Sequence, residues 1–257
     1  MKAAISEEEK FKFSDLYSFN IQYWLLTISC AVTYMSIFTF IQNASDMLQT
    51  KYHFDKITAG LLFGVPYIIS AIASPFLGFL VDKIGKRAFM MCVASSILTM
   101  AFLISLMMPE CDKCYMPVYP LVITGFGYSV YAACIWSTIP YVVAPSTVGT
   151  AFGITTAIQN IGLVMAPTLV GTIKDKTKMI DHGFFWVQIF FIGLNIIGLS
   201  CNMYLYYIDI YYNGGVLDKV DQGTKAEKEA SEEKALLKRA SENGSDETES
   251  MLSEDRS

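Results

Sequence analysis

Gly78-Phe-Leu-Val-Asp-Lys-Ile-Gly-Lys-Arg87 separates two long apolar runs and holds four charged residues, Asp82, Lys83, Lys86 and Arg87. A short charged stretch between two membrane-length segments is a tight turn at a bilayer surface. Gly78 is expected to let one helix end pack closely. Gly85 is expected to supply a turn conformation that a Cβ resists. The basic residues favour the cytoplasmic side. On either side of this turn the pattern is that of an all-α polytopic membrane protein, a six-transmembrane-helix bundle followed by a disordered polar C-terminal tail.

Composition supports that class. The chain has 257 residues, 53% of them hydrophobic and only 17% charged, with a mean hydropathy of +0.39. A soluble domain of this length carries more charge. The net charge of −5 belongs largely to the last forty residues and to Glu7-Glu8-Glu9. No basic field points to nucleic acid. The first fifteen residues are polar, so no cleavable signal peptide is expected and the first span acts as the insertion signal.

The organisation follows as a cytosolic lead at 1–15, a membrane bundle at 16–212 and a tail at 213–257. Six spans are expected at roughly 19–43, 57–80, 88–108, 117–143, 148–173 and 184–210. Each is long enough for a hydrocarbon core that needs ~20 helical residues. Asp46–Lys56, Pro109–Pro117 and Lys174–Gly183 then form loops on one face, and Asp82–Arg87 lies on the other. Charge alone does not orient the bundle. Lys2, Lys10, Lys12, Lys83, Lys86 and Arg87 on one side balance Lys51, Lys56, Lys113, Lys174, Lys176 and Lys178 on the other. Basic residues of the tail, from Lys219 on, favour both termini in the cytosol. Lys174-Asp-Lys-Thr-Lys178 on the outer face fits that orientation least well.

No Asp, Glu, Lys, Arg or His stands in the middle of any expected span. Nor is there a Ser/His/Asp or Cys/His grouping, a phosphate-binding loop or a metal-ligand cluster, so neither an enzyme, a metal nor a cofactor is expected. Neutral polar and aromatic residues remain. Tyr34, Phe38 and Gln42 recur at four-residue spacing and share a helix face. Tyr128, Tyr131 and Trp136 make an aromatic group in the fourth span. Gln159 and Asn160 bring two amides to mid-membrane depth, where each must face a cavity or another helix. These eight residues are the candidate lining of a substrate cavity, with helix–helix packing as the alternative reading. Gly60-x-x-x-Gly64 and Gly149-x-x-x-Gly153 are expected to be helix-packing surfaces.

The loops hold less. Cys111 and Cys114 read as loop thiols or a local disulfide, since two ligands make no zinc site. His53 and His182 are solvated loop histidines, or titrate if that face meets an acidic lumen. Asn43-Ala-Ser45 is a glycosylation sequon at a membrane edge; Asn243-Gly-Ser245 is a second, in the tail. Glu232, Leu236 and Leu237 fit an acidic dileucine sorting signal, although Glu227–Ala240 equally suits a nascent helix with Glu–Lys pairs.

The pattern G-x-x-x-D-(K/R)-x-G-(K/R)-(K/R) formed by Gly78, Asp82, Lys83, Gly85, Lys86 and Arg87 resembles the loop signature of major facilitator superfamily transporters. The stretches Gly149–Ile154, Ile158–Leu163 and Gly171–Asp175 look like the eleventh helix of such a carrier. Together with Tyr128–Pro145 and the Gly214-Gly215 step, they are similar to the lysosomal dipeptide transporter branch. The resemblance covers residues 20–216 and corresponds to the C-terminal half of a twelve-helix major facilitator fold. It implies a rocker-switch carrier that binds its solute between two six-helix bundles, with the N-terminal half outside this chain. It further implies a dipeptide as solute, the lysosomal membrane as location, and a glycosylated accessory membrane protein as partner. The signature loop would be a conformational latch whose Asp faces a helix N-terminus of the other half.

Overall fold

The computed structural model describes residues 19–218; the lead at 1–15 and the sorting signal at Glu232, Leu236 and Leu237 lie outside the described residues. Among the described residues seven α-helices follow in order: α1 (Ile21–Thr50), α2 (Lys56–Phe63), α3 (Val65–Ile84), α4 (Arg87–Met107), α5 (Val118–Val142), α6 (Val148–Lys176) and α7 (Phe184–Tyr212). No strand occurs among the described residues. The helices make six stretches long and apolar enough to cross a membrane, with α2 and α3 forming one of them, Lys56–Ile84. The protein is a multi-pass membrane protein.

Local chemistry explains the ends. The Asn20 side chain accepts the Ile21 N–H at 2.7 Å and starts α1. Asp55 starts α2, its carboxylate accepting the N–H groups of Ile57 at 3.1 Å and Thr58 at 3.0 Å. Those bonds hold its carboxyl below the usual carboxylate range. α2 and α3 meet at Gly64, and Pro66 in the first turn of α3 needs no donor there. The first span runs further than its sequence suggests. Residues 46–50, expected in a loop, are helical because Met47 and Leu48 continue the apolar face and are buried against Phe184 and Phe191.

α1 is the central post. It packs on α7, α6, α2 and α5; α4 joins α5 to α7, and α3 leans on α5. One apolar cluster, nearer the signature loop, gathers Tyr23, Leu26, Val81, Met91, Leu205 and Leu217. The other gathers Ile37, Leu48, Tyr52 and an aromatic triad. In that triad, Phe40 lies 5.0 Å from Phe102 and 5.9 Å from Phe191, centroid to centroid.

A polar seam runs through the same interior. Gln188, Asn195, Asn202 and Asp209 recur every seventh residue along α7 and all are buried. The Asn202 side chain donates to Ser95 Oγ at 2.9 Å and accepts from Ser29 Oγ at 2.7 Å. The Asn195 amide donates to the Ser95 carbonyl and to Thr99 Oγ1 at 2.8 and 2.7 Å. The Gln188 amide donates to Ser105 Oγ at 3.0 Å. Lipid supplies no hydrophobic drive to join helices, so such bonds and close packing hold α1, α4 and α7 together.

Within the described residues of this chain, the two G-x-x-x-G patterns expected to be packing surfaces do not pack against another helix. A Cβ at Gly60, Gly149 or Gly153 would meet nothing within 4 Å, and the same holds at Gly78. Close approach occurs at other glycines. A Cβ at Gly125 would lie 2.8 Å from the Pro66 Cα, and one at Gly162 would lie 2.7 Å from Met35. The reason is placement: α2–α3 and α6 are the least buried spans, and those open glycines lie on their outward faces.

Candidate functional site

An aromatic group stands where α1, α3, α5 and α6 come together. Trp136 Nε1–H donates to Tyr34 Oη at 2.7 Å. Around Tyr34 sit Phe38 at 5.6 Å, Tyr128 at 5.9 Å and Tyr131 at 6.2 Å, ring centre to ring centre. Phe38 reaches Tyr128 at 5.4 Å and Tyr67 of α3 at 6.4 Å. Trp136 stacks on Phe152 of α6 at 6.0 Å, with 12° between the planes. Tyr67 and Phe152 were not candidates on sequence. Phe152 is a lone aromatic in its apolar run and Tyr67 is one of several in its own, and only the helix packing shows that both join the group.

The candidates separate into two sets. Tyr34, Phe38, Tyr128 and Trp136 form one continuous aromatic wall. Gln42, one turn beyond Phe38, is exposed. Tyr131 is fully buried, and its hydroxyl shares a 2.8 Å hydrogen bond with Ser29, so it belongs to the interior seam. Gln159 also faces inward, accepting from Cys30 Sγ at 3.8 Å. Asn160, one residue and ~100° further round the helix, is exposed. Nearby, Thr155 bonds Thr27 at 3.1 Å and Tyr23 at 3.2 Å, which closes the α1–α6 contact below the wall.

Tyr34 is itself buried at 3% exposure and backs the wall, so the surface on offer is the half-buried rings of Phe38, Tyr128 and Trp136, with no charged side chain among them. Such a surface takes an apolar or aromatic group of a small solute by stacking, worth ~0.5–1.5 kcal/mol per ring pair beyond buried area. A groove of about 550 Å³ lies elsewhere, between α4, α5 and α7. Its lining of Phe89, Val93, Met100, Ile123 and Met203 is apolar, and Ser96 there bonds its own backbone. A groove without directional polar groups on the outside of a membrane bundle suits acyl chains rather than a polar solute.

At the signature loop, Gly85 (φ 68°) and Lys86 (φ 48°) are both left-handed. Arg87 starts α4 and is buried, its guanidinium 4.4 Å from the Tyr141 ring centre and Nη2 3.8 Å from Asp82 Oδ1. Its Nε and Nη1 have no hydrogen-bond partner among the described residues. Asp82 itself is 73% exposed. Gly60, Gly64, Tyr67, Ala71, Gly78 and Asp82 fall on one side of the α2–α3 span, and that side is largely open.

The opposite face is held by side chains. Lys51 pairs with Asp181 at 2.8 Å, Lys178 with Asp175 at 2.8 Å, and Lys174 with Asp46. Lys174 and Lys178 of the basic run that fits poorly by charge counting are thus paired locally. Cys111 and Cys114 form a disulfide. His182 Nε2 lies 3.8 Å from Glu110. Burial, then the Asp181 and Glu110 charges, push the Tyr52 phenol up to about 12. Asn43 of the first sequon lies within α1 and donates to the Thr39 carbonyl at 2.8 Å, a setting that does not suit glycosylation.

Comparison with known proteins agrees with this architecture. The lysosomal dipeptide transporter MFSD1 of Danio rerio is 34% identical over 208 residues, which is 81% of this chain and 43% of that protein. The protein of the same name from Homo sapiens is 29% identical over 209 residues, again 81% of this chain and 43% of the relative. The chain therefore spans less than half the length of these relatives. Residues 4–167, well over half the chain, match the Major Facilitator Superfamily. With six membrane-length helices and the full signature loop, this chain belongs to the major facilitator superfamily.

Proposed function

We propose that the chain is one six-helix half of a secondary carrier for small solutes, with dipeptides as the leading class and the lysosomal membrane as the site. The observation that carries the reading is the position of the aromatic wall. Tyr34, Phe38, Tyr128 and Trp136 lie beside two spans, α2–α3 and α6, in which a Cβ at Gly60, Gly78, Gly149, Gly153 or Gly171 would meet nothing within 4 Å. A second six-helix bundle closing on those faces would turn the wall into one side of a mid-membrane cavity. Asn160 and Gln42, both exposed, would then contribute amides to it. The charged groups that hold a dipeptide's two ends would come from the other bundle. The names of the similar proteins support the substrate class and the compartment.

The same reading gives the loops their sides. A disulfide forms away from the reducing cytosol, and the Cys111–Cys114 pair supports a lumenal side for that face. The signature loop and both termini are then cytosolic, as is the sorting signal. A glycosylated accessory membrane protein is the proposed lumenal partner.

Proteoliposomes holding the carrier with both halves should accumulate dipeptides. Trp136→Ala should lower the initial rate about tenfold, equivalent to ~1.4 kcal/mol of lost contact. Uptake of an organic anion or a sugar without dipeptides would replace the substrate class. A folded carrier that moves no solute would turn the reading to a non-transporting assembly subunit.

A further inference from the structure

The residues that follow α7 fold back onto the signature loop. Gly214 (φ 64°) and Gly215 (φ 71°) make the reversal, with the Gly215 N–H donating to the Asp209 carbonyl at 2.9 Å. Residues 213–218, assigned on sequence to the polar tail, therefore turn back to the bundle, where Gly215, Leu217 and Asp218 are held while Asn213, Gly214 and Val216 stay exposed. Leu217 is 2% exposed and lies in the cluster of Val81, Ala88, Met91 and Leu205. Its N–H donates to both oxygens of the buried Asp209 carboxylate at 3.2 Å. In the other direction, the Lys86 N–H donates to the Asp218 carbonyl and the Arg87 N–H to the Leu217 carbonyl, each at 3.2 Å. No side chain caps α4. The returning strap satisfies its first donors instead.

This placement matters because the loop it holds is strained. Lys86, a residue with a Cβ, sits in the left-handed region directly after a left-handed glycine. Such a backbone persists only where its surroundings over-determine it. Val81 and Ala88 under Leu217, and two backbone bonds from 217–218, are those surroundings.

We propose that Gly214–Asp218 is a clamp on the Asp82–Arg87 loop, through which events on the chain just beyond Asp218 set the freedom of that loop. Docked, the clamp fixes the loop backbone and the first turn of α4. Released, it frees the Lys86 and Arg87 donors and lets the loop leave its strained form. A partner or modification that draws residue 219 away from the bundle then acts on the loop without touching it. The transport consequence rests on the carrier reading above; the clamp itself does not.

Hydrogen exchange in nanodiscs tests the clamp without a transport assay. Leu217→Asp removes the apolar anchor and sets a carboxylate beside Asp209; exchange of the Lys86 and Arg87 amides is expected to rise at least about tenfold. Leu217→Met, which keeps the anchor, should exchange as the wild type. The Lys51–Tyr52 segment on the opposite face should be unchanged in both, which separates local release from unfolding. For the coupling, an epitope inserted directly after Asp218 is loaded with its antibody fragment. Exchange at Lys86 and Arg87 should rise about threefold or more, while the same fragment on an epitope after Ser257 should leave it unchanged. Unaltered exchange in Leu217→Asp overturns the clamp, and unaltered exchange under the fragment at 218 overturns the coupling.

Discussion

The inner seam of α1, α4 and α7 and the outer faces of α2–α3 and α6 use the same residue types to opposite ends. In the seam, Ser29, Ser95, Asn195 and Asn202 bond one another or the backbone across helices, and a Cβ at Gly198 would collide with Thr33. On the outer faces, Gly60, Gly149 and Gly153 have nothing within 4 Å, and Asn160 is exposed. The seam shows what small and polar residues do in a membrane once partnered. They shorten the distance between helices and exchange hydrogen bonds that lipid does not offer. The outer faces hold the same materials without a neighbour, as expected of a surface that meets a second bundle.

Substitution at paired positions tests that contrast directly. Gly198→Val drives a side chain into Thr33 and Val32 of α1 and should cost ~1–3 kcal/mol or more as a lowered unfolding temperature. Gly153→Val should stay within ~0.5 kcal/mol. Equal losses at the two would erase the difference between seam and outer face. Next in size, Asn202→Ala opens the seam and should cost ~1 kcal/mol, near the range measured for interhelical hydrogen bonds. Asn160→Ala should leave stability unchanged in the same thermal assay and lower solute uptake by the two-half carrier. Smaller still is Lys174→Ala, which removes a partly exposed ion pair with Asp46 and should cost a few tenths, ~0.5 kcal/mol at most. A larger loss would show that the ion pairs of that loop face hold the bundle together as the seam does.

The smallest effect concerns pH at the clamp. Burial first, then the Asp209 charge, raise the Asp218 carboxyl above its ordinary value, and Lys86 opposes this. The docked strap therefore holds that proton more tightly than a released strap. Docking strengthens as pH falls through the raised pKa and weakens above it. Exchange at Lys86 and Arg87, corrected for the intrinsic rate, should slow modestly as the buffer pH falls through the raised Asp218 pKa. Faster corrected exchange in acid would reverse the sign and remove Asp218 from the account.

Much of the bundle was legible because apolar runs of membrane length admit few structures. The six spans, the tight turn at Gly85 and the aromatic group around Tyr34 follow from length, glycine and four-residue spacing. Helix faces were harder. Gln159 and Asn160 look alike in sequence, yet one meets Cys30 and the other is exposed, because a helix turns ~100° per residue. The glycine pairs misled for the same reason: a G-x-x-x-G run marks a face but not whether a neighbour reaches it. The α7 seam had a readable signal, the seven-residue recurrence of Gln188, Asn195, Asn202 and Asp209, which a search for charges at helix centres passes over. The clamp had none beyond Gly214-Gly215, since its bonds are backbone to backbone and no side-chain pattern encodes them.

The recurrence along α7 also bears on how the protein is made. α7 leaves the ribosome after α1 and α4, and it carries three amides and a carboxylate on one stripe. Alone in hydrocarbon, each of those groups is costly. Its entry into the bilayer is thus tied to helices already waiting there with Ser29, Ser95, Thr99 and Ser105 on offer. A lesion in α1 or α4 would then be felt during biogenesis, as a last span stranded at the translocon and open to quality control, before any solute is met.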